Sequence, residues 1–179
     1  MLYTGKGDNG KTGLFGTKEK LSKSSPITEA LGSLDEANSF LGICKAEAAN
    51  SFLEVQGLSL TTIIEAVQNN LFVVQAQVAG ADKHIASDEV AHLERMIGEI
   101  EKQLAPITSF LIPGATTLSA HFDFARTLVR RAERKVVAVS EDHPGRIHDQ
   151  TLAYLNRLSS LLYACARFTA EGKERAPTY

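Results

Sequence analysis

The chain has 179 residues and a mass of 19.4 kDa, a single-domain length that buries about two-thirds of its unfolded surface without a disulfide or metal staple. Hydrophobic residues at 44% and charged residues at 22% exclude wholesale disorder, and a net charge of −2 excludes a polybasic nucleic-acid binder. Cys44 and Cys165 form no CxxC pair, no apolar run approaches the ~20 residues of a membrane span, and the first residues lack a signal-peptide core, so a soluble cytoplasmic protein engaging neither membrane nor nucleic acid is expected.

Five glycines fall within the first sixteen residues, at 5, 7, 10, 13 and 16, which dictates tight turns rather than a helix. Gly5-Lys6-Gly7-Asp8-Asn9-Gly10-Lys11-Thr12 matches both G-x-G-x-x-G and G-x-x-x-x-G-K-[ST]. Each pattern needs a buried strand before it and a helix after it. Only residues 1–4 precede the loop, and Gly13-Leu14-Phe15-Gly16 cannot open a helix, which argues against a P-loop fold. The loop chemistry survives that exclusion. Closely spaced glycines let backbone amides approach an anion, with Lys6, Lys11 and Thr12 as further donors. An ordinary structural turn explains the same glycines.

From Ser25-Pro26 a helical period takes over, with Ser25 as cap and Pro26 in the first turn. The first helix, 26–49, lines up Leu31, Leu34, Asn38 and Leu41. A second begins near Thr62, where Thr62-x-x-Glu65 has the form of a capping box, and carries Ile63, Ile64, Val67, Leu71, Val74 and Val78 to Gly80. A third, capped by Ser87, shows Val90, Leu93, Ile97, Ile100 and Leu104 and stops before Pro106. The apolar stretch 107–114 is too short for a helix and reads as an ordered loop. The fourth helix, 117–140, has a seam of Leu118, Phe122, Ala125, Val129, Ala132, Val136 and Val139 stepping by four and three. Gly145 breaks it. The fifth, 147–172, buries Leu155, Leu158, Leu162 and Cys165.

Five helices with short connections predict an all-α, antiparallel five-helix bundle. Residues 1–25 form a glycine-rich loop within the same single domain as 26–179, and exposed apolar faces favour oligomerisation.

The charge is uneven. Residues 1–25 carry Lys6, Lys11, Lys18, Lys20 and Lys23 against Asp8 and Glu19, and residues 126–135 carry Arg126, Arg130, Arg131, Arg134 and Lys135 against Glu133. Two basic segments on an acidic remainder fit a small polyanion, or else two solvated faces that never meet. Arg126, Arg130, Glu133 and Arg134 share one helix face beside the apolar seam. Arginine forks suit a triphosphate, and an inter-helix or inter-subunit salt-bridge ladder using Asp35 and Glu36 is the alternative. Glu89-x-x-His92 has the spacing of a di-iron ligand pair, but no second Glu-x-x-His exists, so His92 reads as an exposed helical histidine. Asn156, set among leucines in Tyr154-Leu155-Asn156-Arg157-Leu158-Ser159, needs a bonded partner, on a neighbouring helix or on an adenine edge.

Four blocks together resemble the PduO-type ATP:cob(I)alamin adenosyltransferases. They are Tyr3-Thr4-Gly5-Lys6-Gly7-Asp8-Asn9-Gly10 with Thr12; Gly32-Ser33-Leu34-Asp35-Glu36-Ala37-Asn38-Ser39; Phe110-Leu111-Ile112-Pro113-Gly114 leading to Ala125-Arg126 and Arg130-Arg131-Ala132-Glu133-Arg134; and Tyr154 through Ser159. The resemblance implies a homotrimer with active sites between subunits and a reaction between ATP and reduced cobalamin, giving adenosylcobalamin and triphosphate. It implies that Thr4, Gly5, Lys6, Gly7, Thr12 and Gly13 wrap the triphosphate and Lys23 adds a cation. Arg130, Arg131, Glu133 and Arg134 then hold phosphates with their magnesium, and Asn156 meets the nucleoside. Asp35 of one subunit pairs with Arg126 of the next, and Phe110 stands against the lower face of the corrin ring. Asp35, Arg126, Arg130 and Phe110 are thus the implied catalytic set, with no direct protein ligand to the metal assigned. A reductase and an adenosylcobalamin-dependent enzyme are the implied partners.

Three positions depart from the family pattern. Ser160 stands where Asp usually follows Asn-Arg-Leu-Ser, Ile27 where an arginine usually follows the first helix's proline, and Lys18 where an arginine is more usual. A non-catalytic ATP or corrinoid carrier on the same trimeric scaffold is the rival reading.

Overall fold

A computed structural model of the chain describes residues 2–14, 20–106 and 108–178. Five helices form where the period requires them: α1 (Pro26–Ala48), α2 (Leu60–Ala79), α3 (Ser87–Glu101), α4 (Thr117–Asp142) and α5 (Asp149–Phe168). Two short antiparallel hairpins accompany them, which the sequence reading did not anticipate. β1 (Lys11–Gly13) pairs with β2 (Lys20–Ser22), and β3 (Glu54–Val55) with β4 (Leu58–Ser59).

Capping explains where the helices begin. The Ser25 hydroxyl accepts the Thr28 N–H, and Pro26 occupies the first turn, as expected. At α2 the cap is Ser59 and not Thr62: its hydroxyl accepts the Thr62 N–H at 3.2 Å, and the helix starts two residues earlier than the sequence pattern implied. The β3–β4 hairpin turns through Gln56 and Gly57, both at positive φ, and delivers the chain into the helix at Ser59. At α3 the cap position is Ala86, with no side-chain bond, so Ser87 is the first helical residue. Asp88 and Glu89 oppose the positive helix end there instead. Thr116 and Ser119 cap α4 reciprocally, and α4 runs on to Asp142. α5 ends at Phe168, short of Gly172, because the chain turns back through Glu171 (φ 55) and Gly172 (φ 70).

The directions of the helices follow from cross-links between them. Glu29–Lys135 and Phe40–Phe124 run in opposite order along α1 and α4, so these two are antiparallel. The same holds for α4 and α5 through Glu133–Asn156 and Asp123–Arg167, and for α1 and α2 through Gln68 to Asn38 and Lys45–Glu65. α3 packs on α5, and a buried Thr151–Gln77 bond of 2.6 Å ties α5 to α2. The α4 seam is fully buried at Phe122, Ala125, Val129, Ala132, Val136 and Val139, as its spacing requires. One core cluster extends from Leu14 to Ala166, and burying such side chains stabilises by roughly 1.5–3 kcal/mol each. The surface pairs Glu29–Lys135 and Glu36–Arg131 are exposed to solvent, which screens them, and contribute little to stability. No helix among the described residues is long and apolar enough to cross a membrane.

Candidate active site

The glycine loop folds as two successive turns, with Asp8 N–H donating to Gly5 and Gly10 N–H to Gly7, each at 3.2 Å. Gly5 (φ 66) and Gly10 (φ 75) sit in the left-handed region where a side chain strains the backbone. The Lys23 N–H donates to the Gly10 carbonyl at 2.9 Å and anchors the loop to the end of β2. At Gly7 a Cβ would lie 3.2 Å from Lys23 Nζ and 3.3 Å from the Lys11 carbonyl. Glycine at 7 therefore lets the Lys23 ammonium lie directly on the loop. β1 follows these glycines instead of a helix, so the P-loop pattern has no helix N-terminus behind it.

Thr12 and Gly13 open into a cavity of about 580 Å³ between β1, α1 and α2, whose wall includes Thr28, Gly32, Asp35 and Phe72. A second cavity, of about 280 Å³, lies among α3, α4 and α5, with Arg126, Arg130, Ser159, Ser160, Tyr163 and Arg167 in its wall. No described residue lines both. The structure thus places Thr12, Gly13 and Asp35 around one cavity, Lys23 on the glycine turns that lead into it, and Arg126 and Arg130 around another.

The arginine row divides its work. Arg131 is ion-paired with Glu36 across α1 and α4, the inter-helix reading of the row. Arg134 Nη1 donates to the Arg130 carbonyl at 3.1 Å, its ordinary helical neighbour. Arg126 lies over the Tyr163 ring at 5.9 Å, and its buried Nε has no hydrogen-bond partner. Among the described residues Asp35, Arg126 and Arg130 make no ion pair. Asn156, expected to need a partner, is exposed and has two. Its amide donates to Glu133 Oε1 at 3.0 Å, and its carbonyl oxygen accepts from Arg157 Nη1 at 2.9 Å, with Arg157 Nε bonded to Glu94 at 2.7 Å. Glu133 and Asn156 therefore form one unit beside the arginines. Phe110 lies on the connection between α3 and α4 and is 83% exposed. Glu89 accepts from Asn70 at 2.8 Å, which gives it a structural task joining α2 to α3, and His92 is half-buried rather than exposed.

Sequence reasoning passed over Tyr163 and Arg167. Tyr163 lies beneath two guanidinium groups, 5.9 Å from Arg126 and 4.9 Å from Arg167, and Arg167 is buried against Asp123 at 2.5 Å. The signal was present: Asn156, Ser159, Ser160, Tyr163 and Arg167 step by three and four, one face of α5. Burial by desolvation pushes the Cys44 and Cys165 thiols up to about 12, which keeps both as inert thiols.

The profile of the family described as cobalamin adenosyltransferase matches residues 2–169. The chain belongs to that family. It is 36% identical to corrinoid adenosyltransferase PduO of Salmonella typhimurium, an alignment covering 93% of this chain and 48% of that protein. The chain thus spans about half the length of the PduO relatives, including that of Citrobacter freundii at 49%. A second Citrobacter freundii relative, a corrinoid adenosyltransferase 35% identical, is covered over 93% of its length and over 93% of this chain. Two solved variants of a PduO-type ATP:corrinoid adenosyltransferase from Lactobacillus reuteri, both complexed with cobalamin and ATP, share the fold at 28% identity. Their TM-scores are 0.84, covering 96% of this chain and 91% of that one, and 0.85, covering 100% and 99%. For a cobalamin adenosyltransferase family member the matched span takes in the glycine loop and both cavities, and leaves residue 1 and the tail after residue 169 outside.

Proposed function

We propose that this chain transfers the 5′-deoxyadenosyl group of ATP to the cobalt of cob(I)alamin, giving adenosylcobalamin and triphosphate. The observation that carries this reading is the pair of cationic half-sites, the Lys23-bearing glycine loop and the unpaired Arg126 and Arg130, in a chain of this family. Relatives of the same fold bind ATP and cobalamin together.

In the reaction the lone pair of Co(I) forms the bond to C5′ of ATP. The C5′–O5′ bond breaks, triphosphate leaves with that electron pair, and cobalt ends formally as Co(III). Negative charge grows on the bridging oxygen, where Arg130, Arg134 and the loop amides of Thr4–Gly7, Thr12 and Gly13 stabilise it, with Arg131 as a further hydrogen-bond donor beside its pair with Glu36. The substrate supplies the nucleophile, so no protein base is needed. Asn156, oriented by Glu133 and Arg157, presents its amide to the nucleoside. Phe110 removes water and axial ligands from the lower corrin face.

Magnesium accompanies the triphosphate, and the residues present fit it. Magnesium is commonly held by one or two carboxylates plus phosphate oxygens, and Glu133 is the carboxylate within the arginine row.

Among the described residues the two half-sites share none, and Asp35 and Arg126 have no ion partner. A homotrimer that pairs Asp35 of one subunit with Arg126 of the next unites them. Residues 1–25 act as part of the same domain as 26–179, and the protein works in the cytoplasm with a reductase and an adenosylcobalamin-dependent enzyme.

The test is anaerobic: purified protein, ATP, magnesium and chemically reduced cob(I)alamin, followed by visible spectroscopy and triphosphate release. The adenosylcobalamin spectrum is expected. An intact trimer that binds ATP and gives no conversion makes the chain a carrier, with Ser160 and Ile27 the first positions to restore.

A further inference from the structure

Beyond α5 the chain stays on the bundle. It turns back at Glu171 and Gly172, and Lys173 and Arg175 lie across a cleft from Ile112, Pro113 and Ala115. Besides the turn bond from the Lys173 N–H to the Ala170 carbonyl at 3.0 Å, two contacts hold this tail. The Ile112 N–H donates to the Arg175 carbonyl at 2.9 Å, and Glu174 Oε1 lies 2.8 Å from Arg167 Nη1.

The second contact is unusual in its charge balance. Arg167 is 3% exposed and already has a counter-charge, because Nη2 donates to the buried Asp123 Oδ2 at 2.5 Å. Glu174, only 19% exposed, adds a second carboxylate to one guanidinium. Neutrality does not require it. Desolvating a carboxylate costs free energy, and pinning a chain end costs conformational entropy. The structural return is the position of the tail. Among the described residues from 105 to 115 the Ile112–Arg175 bond is the sole hydrogen bond, so the tail is what fixes the connection between α3 and α4. Phe110 stands two residues from Ile112. An aromatic wall 83% exposed on such a connection excludes a ligand only if its backbone is held.

We propose that Glu174 is a positioning residue: through Arg167 it clasps the C-terminal tail onto the 108–115 connection and so holds Phe110 at the lower face of the corrinoid. The proposal rests on the reading of Phe110 given above. Arg167 is the wrong residue to vary, since its loss strands Asp123 in the core. Glu174 can be removed with the Arg167–Asp123 pair intact, so the bundle stays folded.

Wild type, E174A, E174Q and E174D are compared by amide hydrogen exchange and by steady-state kinetics with ATP, magnesium and cob(I)alamin. In E174A and E174Q the Ile112 amide exchanges about ten-fold faster while Val129 in the core is unchanged. The KM for corrinoid rises about ten-fold and that for ATP stays within about two-fold. Cob(II)alamin bound with ATP keeps an axial ligand in its electron paramagnetic spectrum, and E174D restores most of each effect. Unchanged Ile112 exchange removes the clasp. Faster exchange with wild-type corrinoid KM and spectrum removes its link to Phe110. A wild-type chain that makes no adenosylcobalamin sinks the reaction instead, and faster Ile112 exchange in E174A then still supports the clasp itself.

Discussion

Arg130 and Arg131 are neighbours on α4, about 100° apart around the helix, and the fold employs them differently. Arg131 is engaged by Glu36, whereas Arg130 faces the cavity that Glu101 also lines and, among the described residues, is ion-paired to no carboxylate. Arg130→Ala should therefore lower kcat/KM by about 100-fold and weaken ATP binding, as expected for one lost charge-stabilising donor. Titration calorimetry with ATP and initial rates check it; unchanged affinity and turnover would remove Arg130 from the phosphate site. The buried thiols give a pH prediction of definite sign. Cys44 and Cys165 are raised from an ordinary 9.0 to about 12 by burial, so the folded state holds the proton that the unfolded state releases. The stability they contribute is complete below pH 9 and is lost from there upward towards about pH 12. The urea midpoint should fall steadily as pH is raised above 9, and both thiols should resist a disulfide reagent in the native state and react once unfolded.

At the scale of the elements, the α4 seam shows what a single chain can announce in advance. Seven apolar positions stepping by four and three make one stripe to bury whatever it packs against, and the structure buries six of them fully and leaves Leu118, in the first turn, half-buried. Helix starts were less legible. Thr62-x-x-Glu65 has the letters of a capping box, yet Ser59 holds the cap because the six-residue hairpin from Glu54 ends on it and fixes the backbone there. Ser59→Ala should cost about 1 kcal/mol of stability, and Thr62→Ala clearly less, as judged by thermal unfolding. Equal losses would restore Thr62 as the cap. Phe40 between His121 and Phe124, and Glu89 bonded to Asn70, are contacts between helices that no local spacing encodes.

For the whole molecule, the question is how two half-sites become one. Asp35 lies in the cavity beside the loop, Arg126 in the cavity among α3, α4 and α5, and neither finds an ion partner within the described chain. Asp35→Asn is expected to shift sedimentation from trimer towards smaller species, or to cut activity about ten-fold with the trimer intact, because it leaves the partner's guanidinium uncompensated. A fully active, intact trimer would count against the pairing.

The sequence by itself determined the helices, their apolar faces, the glycine-rich turns and, through four spaced blocks, the family, because each is a local pattern of residue types at fixed spacing. It could not say which arginine is neutralised by Glu36 and which stays available, since that depends on how α1 lies against α4. It could not show that glycine at 7 admits the Lys23 ammonium, that Asn156 is bonded to Glu133, or that Glu174 turns back onto Arg167. Glu36–Arg131 and Glu133–Asn156 join residues far apart in the chain, and only packing the helices brings them within bonding distance, whereas Lys23 on Gly7 and Glu174 on Arg167 depend on how the chain turns back on itself.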